Sequence, residues 1–157
     1  MVFISTNETK EKWQSMLIAI KDNLDDPSVR DIIGYSVYPD PDKLDRTIDA
    51  YKSDDRLEMY GYQAEEELIG IIGIRKCESG GLKIEHIAVT PDFRGLGYGR
   101  GLVLETIEEK KPTVLIAETD EEAVDFYRNI GFEIESLGET YPGVERFKCV
   151  YIVEEPE

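Results

Sequence analysis

Residues 84–103 read IEHIAVTPDFRGLGYGRGLV, with glycine at 95, 97, 99 and 101 and arginine at 94 and 100. Alternating glycines suit a flexible linker, a strained turn or a backbone cradle for an anion. A linker does not fit, because strong apolar segments flank the stretch on both sides. Two nucleotide signatures fail on spacing. The dinucleotide fingerprint Gly-x-Gly-x-x-Gly would need its last glycine where this chain has Arg100, counted from Gly95, or Leu102, counted from Gly97. The P-loop ends in Gly-Lys-Ser/Thr, and no such ending follows here. What remains is a strand, a turn, a glycine-rich loop and a helix. Glycine removes the Cβ atoms that would hold an anion off the backbone N–H groups, and the helix N-terminus adds partial positive charge. A tight strand-to-helix connection would account for the glycines, but not for arginines at both ends.

Outward from this stretch the chain divides into short periodic segments, without repeats or low-complexity blocks. MVFIS (1–5) predicts a first strand. TNETKEKWQSMLIAIKDNL (6–24) carries Trp13, Leu17, Ile20 and Leu24 at three- and four-residue intervals and predicts an amphipathic helix. A proline-bearing connection with a short helix around 28–33 leads to PDKLDRTIDAYKS (41–53). That segment predicts a helix, with Pro41 near its start and Leu44, Ile48 and Tyr51 on one face. LEMYGYQ (57–63) and ELIGIIGIRKC (67–77) predict two strands joined by a turn at AEEE, and LKIEHIAV (82–89) a third. After the glycines, RGLVLETIEEKK predicts a helix that Pro112 closes. TVLIAET (113–119) predicts a strand, DEEAVDFYRNI (120–130) a short helix ended by Gly131, and FEIESLG and ERFKCVYIV two final strands. This order points to the α/β (α+β) class: a single domain over 1–157 with a mixed sheet covered by helices on both faces.

Aspartate and glutamate outnumber lysine and arginine 34 to 18, for a formal net charge of −16. Such a surface repels nucleic acid and anionic lipid and favours a cationic partner such as an amine; solubility alone would also account for it. Any anion-binding segment must overcome that field locally. No apolar run approaches the roughly 18 residues of a membrane span, and the first residues lack the apolar core of a signal peptide. Cys77 and Cys149 belong to no disulfide framework or metal-type pair, so reduced thiols and a cytoplasmic location are expected, with no metal.

The opening stretch resembles the acetyl-CoA-binding motif of the GNAT superfamily of N-acetyltransferases. The motif's core, Arg/Gln-x-x-Gly-x-Gly/Ala, is matched by Arg94, Gly97 and Gly99. AVDFYRNIGFE resembles the family's later helix–strand element through Ala123, Phe126, Tyr127, Gly131 and Phe132. The resemblance implies a mostly antiparallel sheet and an enzyme that transfers acetyl from acetyl-CoA to a primary amine by direct attack in a ternary complex. A non-catalytic acyl-CoA-binding regulatory module that keeps the glycine loop stays open as the alternative, and so does a homodimer.

The resemblance also assigns positions. Arg94, Gly95, Leu96, Gly97, Tyr98, Gly99 and Arg100 would hold the CoA pyrophosphate. Ile87, Ala88 and Val89 would line the pantetheine arm and the acetyl carbonyl, where a donor acts as an oxyanion hole. Tyr127 would contact the cofactor near its sulfur and protonate the leaving thiolate. Asp120 stands where the family commonly has a CoA-contacting Asn; TDEE also fits a capping box, with Thr119 as N-cap and Glu122 three residues on. Glu85 is the candidate base. Unbroken alternation puts it with Lys83 and Ile87, and puts His86 with the apolar set Leu82, Ile84 and Ala88. Lys110 and Lys111 could meet the adenosine 3′-phosphate or be solvated. Gly101, where Ala is usual, permits close packing of helix on sheet. On the acceptor side, Tyr35, Tyr38 and Tyr141 beside acidic residues would suit a cationic or aromatic amine.

Overall fold

The computed structural model describes residues 17–37 and 40–153. The predicted strand at 1–5, Trp13 and Tyr38 lie outside them. The elements are β1 (Leu17–Ala19), α1 (Pro27–Val37), α2 (Pro41–Ser53), β2 (Leu57–Ala64), β3 (Glu67–Lys76), β4 (Leu82–Val89), α3 (Tyr98–Lys110), β5 (Val114–Asp120), α4 (Val124–Ile130), β6 (Glu133–Tyr141) and β7 (Val144–Ile152).

Local chemistry explains several boundaries. α2 starts at Pro41, whose fixed φ suits a first turn, and the Asp40 carboxylate caps it by accepting the Asp42 N–H at 2.9 Å. The β2–β3 hairpin turns on Glu65 and Glu66, both at positive φ (53° and 67°), the backbone of the tight turn that matches strand twist. The predicted helix across 6–24 fails in its described part. Leu17, Ile18 and Ala19 pair antiparallel with Tyr62, Gly61 and Tyr60 as an edge strand, while Ile20 and Leu24 are buried below it. An apolar run such as Leu-Ile-Ala-Ile serves a strand as well as a helix, and the exposed ladder of β2 decides the matter.

The seven strands among the described residues form one sheet in the order β1-β2-β3-β4-β5-β7-β6. Every pairing is antiparallel except β4 with β5. α3 and α4 cover one face, burying Leu102, Val103, Val124 and Tyr127 against Ile72, Ile74, Leu82, Ile84, Leu115 and Ala117. α1 and α2 cover the other, with Ile32, Ile33, Ile48 and Tyr51 against Met59 and Ile71. This is the mixed, mostly antiparallel sheet with helices on both faces that the sequence predicts.

Two irregularities of β4 shape the site. The β4–β5 ladder covers only Leu82↔Leu115, Lys83↔Ile116 and Ile84↔Ala117. Beyond it β4 stays on β3 as far as Val89, and β5 stays on β7 as far as Asp120, so the parallel strands part. Also, Ile74 faces Ile84 while Gly73 faces His86, which leaves Glu85 as the extra residue of a β-bulge.

Candidate active site

The loop between β4 and α3 is built as a donor surface. Gly95 and Gly97 sit at φ of 75° and 89°, in the left-handed region where a Cβ is strained, and a Cβ at either would meet open space. Arg94 N–H donates to the Pro91 carbonyl. The N–H groups from Gly95 to Arg100 have no backbone acceptor among the described residues, and the last three form the open first turn of α3. All of these residues but Leu96 border a cavity of about 310 Å³ that is also lined by Val89, Phe93, Arg94 and Phe126. Phe126 comes from α4, and a Cβ on Gly99 would lie 3.1 Å from its ring. Gly101 serves close packing, since a Cβ there would lie 3.1 Å from the Tyr62 hydroxyl.

Arg94 ties this loop to its surroundings. Its Nε donates to the Val89 carbonyl at 2.9 Å, and its guanidinium stands 5.2 Å from the centre of the Tyr35 ring. Tyr35, expected on the acceptor side, therefore touches the donor loop, while Tyr141 lies exposed near the end of β6. Lys110 is at the far end of α3, about 18 Å along the axis from Tyr98, and its Nζ lies 3.3 Å from Glu58 Oε2. That distance and that partner separate it from the phosphate cradle.

Pairing sets which backbone groups of β4 are open. Thr90 N–H donates to the Ile69 carbonyl, so the register turns Ala88 and His86 toward β3 and turns Ile87 and Val89 away from it. With β5 gone beyond Ile84, the polar groups of Ile87 and Val89 face the gap between the strands. Ala88 offers the gap no backbone group; its side chain packs on the α1/α2 face.

The bulge corrects the expected alternation. Ile87 and Val89 pack with Leu82 and Ile84 on the α3/α4 face. His86 lies on the opposite face, in a cavity of about 300 Å³ that it lines together with Glu85. One extra residue shifts the parity of everything after it. Glu85 Oε1 accepts from Arg75 Nε at 2.9 Å, and Arg75 Nη1 reaches Asp54 at 3.5 Å. His86 Nδ1 is 2.7 Å from the Tyr51 hydroxyl. Burial lowers the His86 pKa from the ordinary value, although the nearby Glu85 charge opposes this.

Tyr127 is buried on α4, edge-on to both Phe126 and Phe132. Burial, with a smaller contribution from Cys149, pushes its phenol well above the usual tyrosine value. Asp120 ends β5, and its Oδ1 accepts the N–H groups of Glu122 (3.0 Å) and Ala123 (3.1 Å). It supplies the turn contact expected of Thr119, which instead lies buried within β5. Cys77 is exposed and Cys149 buried, both as free thiols. Among the described residues no cluster of His, Cys, Asp or Glu could hold a metal, and no helix is long and apolar enough to cross a membrane. Tyr51, Arg75, Lys43 and Arg46 border the second cavity without any sequence signal for it; on α2 the cations read as a solvated helix face.

Residues 20–132 match the family model described as the acetyltransferase (GNAT) family. Peptidyl-lysine N-acetyltransferase YjaB of Escherichia coli K12 is 35% identical over 69 residues, covering 40% of this chain and 47% of that protein. The chain spans about half the length of the curated relatives it matches. An acetyltransferase candidate of the GNAT family from Desulfovibrio desulfuricans superposes with a TM-score of 0.75 at 18% identity, covering 88% of this chain and 98% of that one. A GNAT family acetyltransferase from Elizabethkingia anophelis with acetyl-CoA bound gives 0.65 at 17%, covering 87% and 97%. At such identities the two structures show a shared fold.

Proposed function

The chain belongs to the GNAT acetyltransferase family, and from that membership we propose that it transfers the acetyl group of acetyl-CoA to a primary amine by direct attack in a ternary complex. One observation carries this reading: a row of unengaged loop N–H groups, Gly95 to Arg100, leads to the gap where β4 and β5 part. The first feature suits a pyrophosphate and the second a thioester arm laid as a false strand against Ile87 and Val89.

In this mechanism Gly95 to Arg100 and Arg94 hold the phosphates. An open N–H on Ile87 or Val89 donates to the thioester oxygen and strengthens as that oxygen becomes an oxyanion. The neutral amine forms the new C–N bond, and the C–S bond breaks as the tetrahedral adduct collapses. Tyr127 gives its proton to the leaving thiolate. Burial keeps it in the phenol form throughout the neutral range, at some cost in driving force. The proton lost by the amine passes to Glu85, whose Oε2 has no hydrogen bond among the described residues, directly or through water.

The test measures CoA binding by calorimetry and thiol release from acetyl-CoA across a panel of primary amines. Binding together with amine-dependent thiol release and an N-acetyl product is expected. Tight CoA binding with no turnover on any amine would favour the acyl-CoA-binding regulatory module. No CoA binding would overturn both readings.

A further inference from the structure

The cavity beside Glu85 runs against the charge of the rest of the molecule. In a chain with net charge −16, its lining includes the cations Lys43, Arg46 and Arg75 against a single carboxylate, Glu85. That carboxylate is engaged by Arg75. Arg46 has only a loose contact with Asp40 at 3.8 Å, and Lys43 makes no ion pair among the described residues.

Beside the apolar Ala50 and Leu57, the neutral polar groups of the lining can donate as well. Thr47 brings a hydroxyl. The only hydrogen-bond partner of the buried Tyr51 hydroxyl among the described residues is His86 Nδ1. Burial, with the Glu85 charge, keeps Tyr51 protonated far above neutral pH, so its hydroxyl has a proton to donate to Nδ1. With the hydroxyl donating to Nδ1, the proton of neutral His86 resides on Nε2, where the ring offers a donor. Lys43, without an ion pair among the described residues, and the loosely held Arg46, beside these donors in an acidic protein, favour an anion.

Its position says which anion. Glu85 and His86 are on β4, and Ile87 is two residues beyond Glu85, about 7 Å along an extended strand. We propose that this cavity holds the carboxylate of the amine acceptor, so that the acceptors are small primary amines bearing a carboxylate, of amino-acid or short-peptide kind. The proposal rests on the acetyl-transfer reading above and narrows its acceptor. It also reverses the sequence-based expectation of a simple cationic amine. A polyamine would bring only like charge to Lys43 and Arg46.

Matched amine pairs that differ in one carboxylate test it: L-phenylalanine against phenethylamine, and glycylglycine against its C-terminal amide. The carboxylate members should show kcat/KM higher by about tenfold or more, the worth of one charge-assisted contact. Lys43→Gln with Arg46→Gln should bring that ratio close to one, mainly through KM, while calorimetric CoA binding stays at the wild-type value. Lys43→Glu should turn the preference toward the amine lacking the carboxylate. Equal kcat/KM within both pairs, or a ratio that survives the double substitution, would overturn the proposal and leave acetyl transfer standing. If CoA binds and no amine turns over, L-phenylalanine is titrated into the CoA-saturated protein. Binding lost in the double variant supports the proposal, and absence of binding ends it.

Discussion

The Tyr51 hydroxyl lies 2.7 Å from His86 Nδ1, on a sheet face that unbroken alternation along β4 would deny the histidine. The bulge at Glu85 makes the pair possible, and Gly73 leaves it room, because a Cβ there would overlap the Tyr51 hydroxyl. Burial favours neutral imidazole, and a hydroxyl that donates to Nδ1 acts in the same direction.

Tyr51→Phe should therefore raise the His86 pKa toward its ordinary value. His86 is the sole histidine, so its ring resonances can be followed by NMR without assignment. With the folded pKa depressed, the stability linked to His86 is present above the unfolded value of 6.5 and is lost as pH falls through the folded value. The variant should lose part of that dependence and about 1 kcal/mol of stability at pH 8. An unchanged titration would show that the hydroxyl does not donate to the ring.

Gly97→Val tests the cradle. The N-cap of α3 at φ 89° admits glycine readily and a β-branched residue at a cost of about 1–3 kcal/mol. A Cβ at this position would meet open space among the described residues, beside the loop amides. The far-UV spectrum should stay close to wild type, with a lower Tm, while CoA affinity falls beyond measurement by calorimetry. Wild-type affinity in a folded variant would end the phosphate reading of this loop.

Tyr127→Phe keeps the ring that packs between Phe126 and Phe132 and removes only the hydroxyl. Under single-turnover conditions acetyl transfer should slow by about 10² or more, with CoA affinity little changed. Full activity where chemistry limits the rate would leave Tyr127 as a core aromatic.

How far the sequence could be read depended on whether the signal was local. Helix 41–53 was bounded by Pro41 and its cap, the hairpin turn at 65–66 lay where glutamates interrupt two apolar strands, and the glycine loop followed from composition and spacing. The errors are tertiary in origin. Leu17–Ala19 is a strand only because β2 has an edge to pair with. The bulge at Glu85 leaves no mark on an apolar alternation that reads smoothly through it, and it moved His86 from the core to a cavity. Thr119 read as the cap before α4, but β5 runs on through it to Asp120, whose carboxylate takes the N–H groups of the turn instead. The cationic cavity is invisible in the sequence because Lys43 and Arg46 from α2 and Arg75 from β3 meet only in the fold.

Glu105 supplies a test of stability separate from the site. Its Oε2 is buried on α3 with no hydrogen-bond partner among the described residues. Burial, aided by the charge of Glu109, pushes its carboxyl up to about 7 from an ordinary 4.5. The native state keeps the proton where the unfolded chain has released it. Stability linked to Glu105 is therefore full below about 4.5 and falls as pH rises toward about 7. Glu105→Gln keeps the shape and abolishes the charge. At pH 8 it should raise Tm by up to about 4 °C, less to the extent that solvent screens the carboxylate. At pH 4 it should leave Tm unchanged. A difference between wild type and variant that is the same at both pH values would show that the carboxylate is hydrated in the native state and carries no penalty.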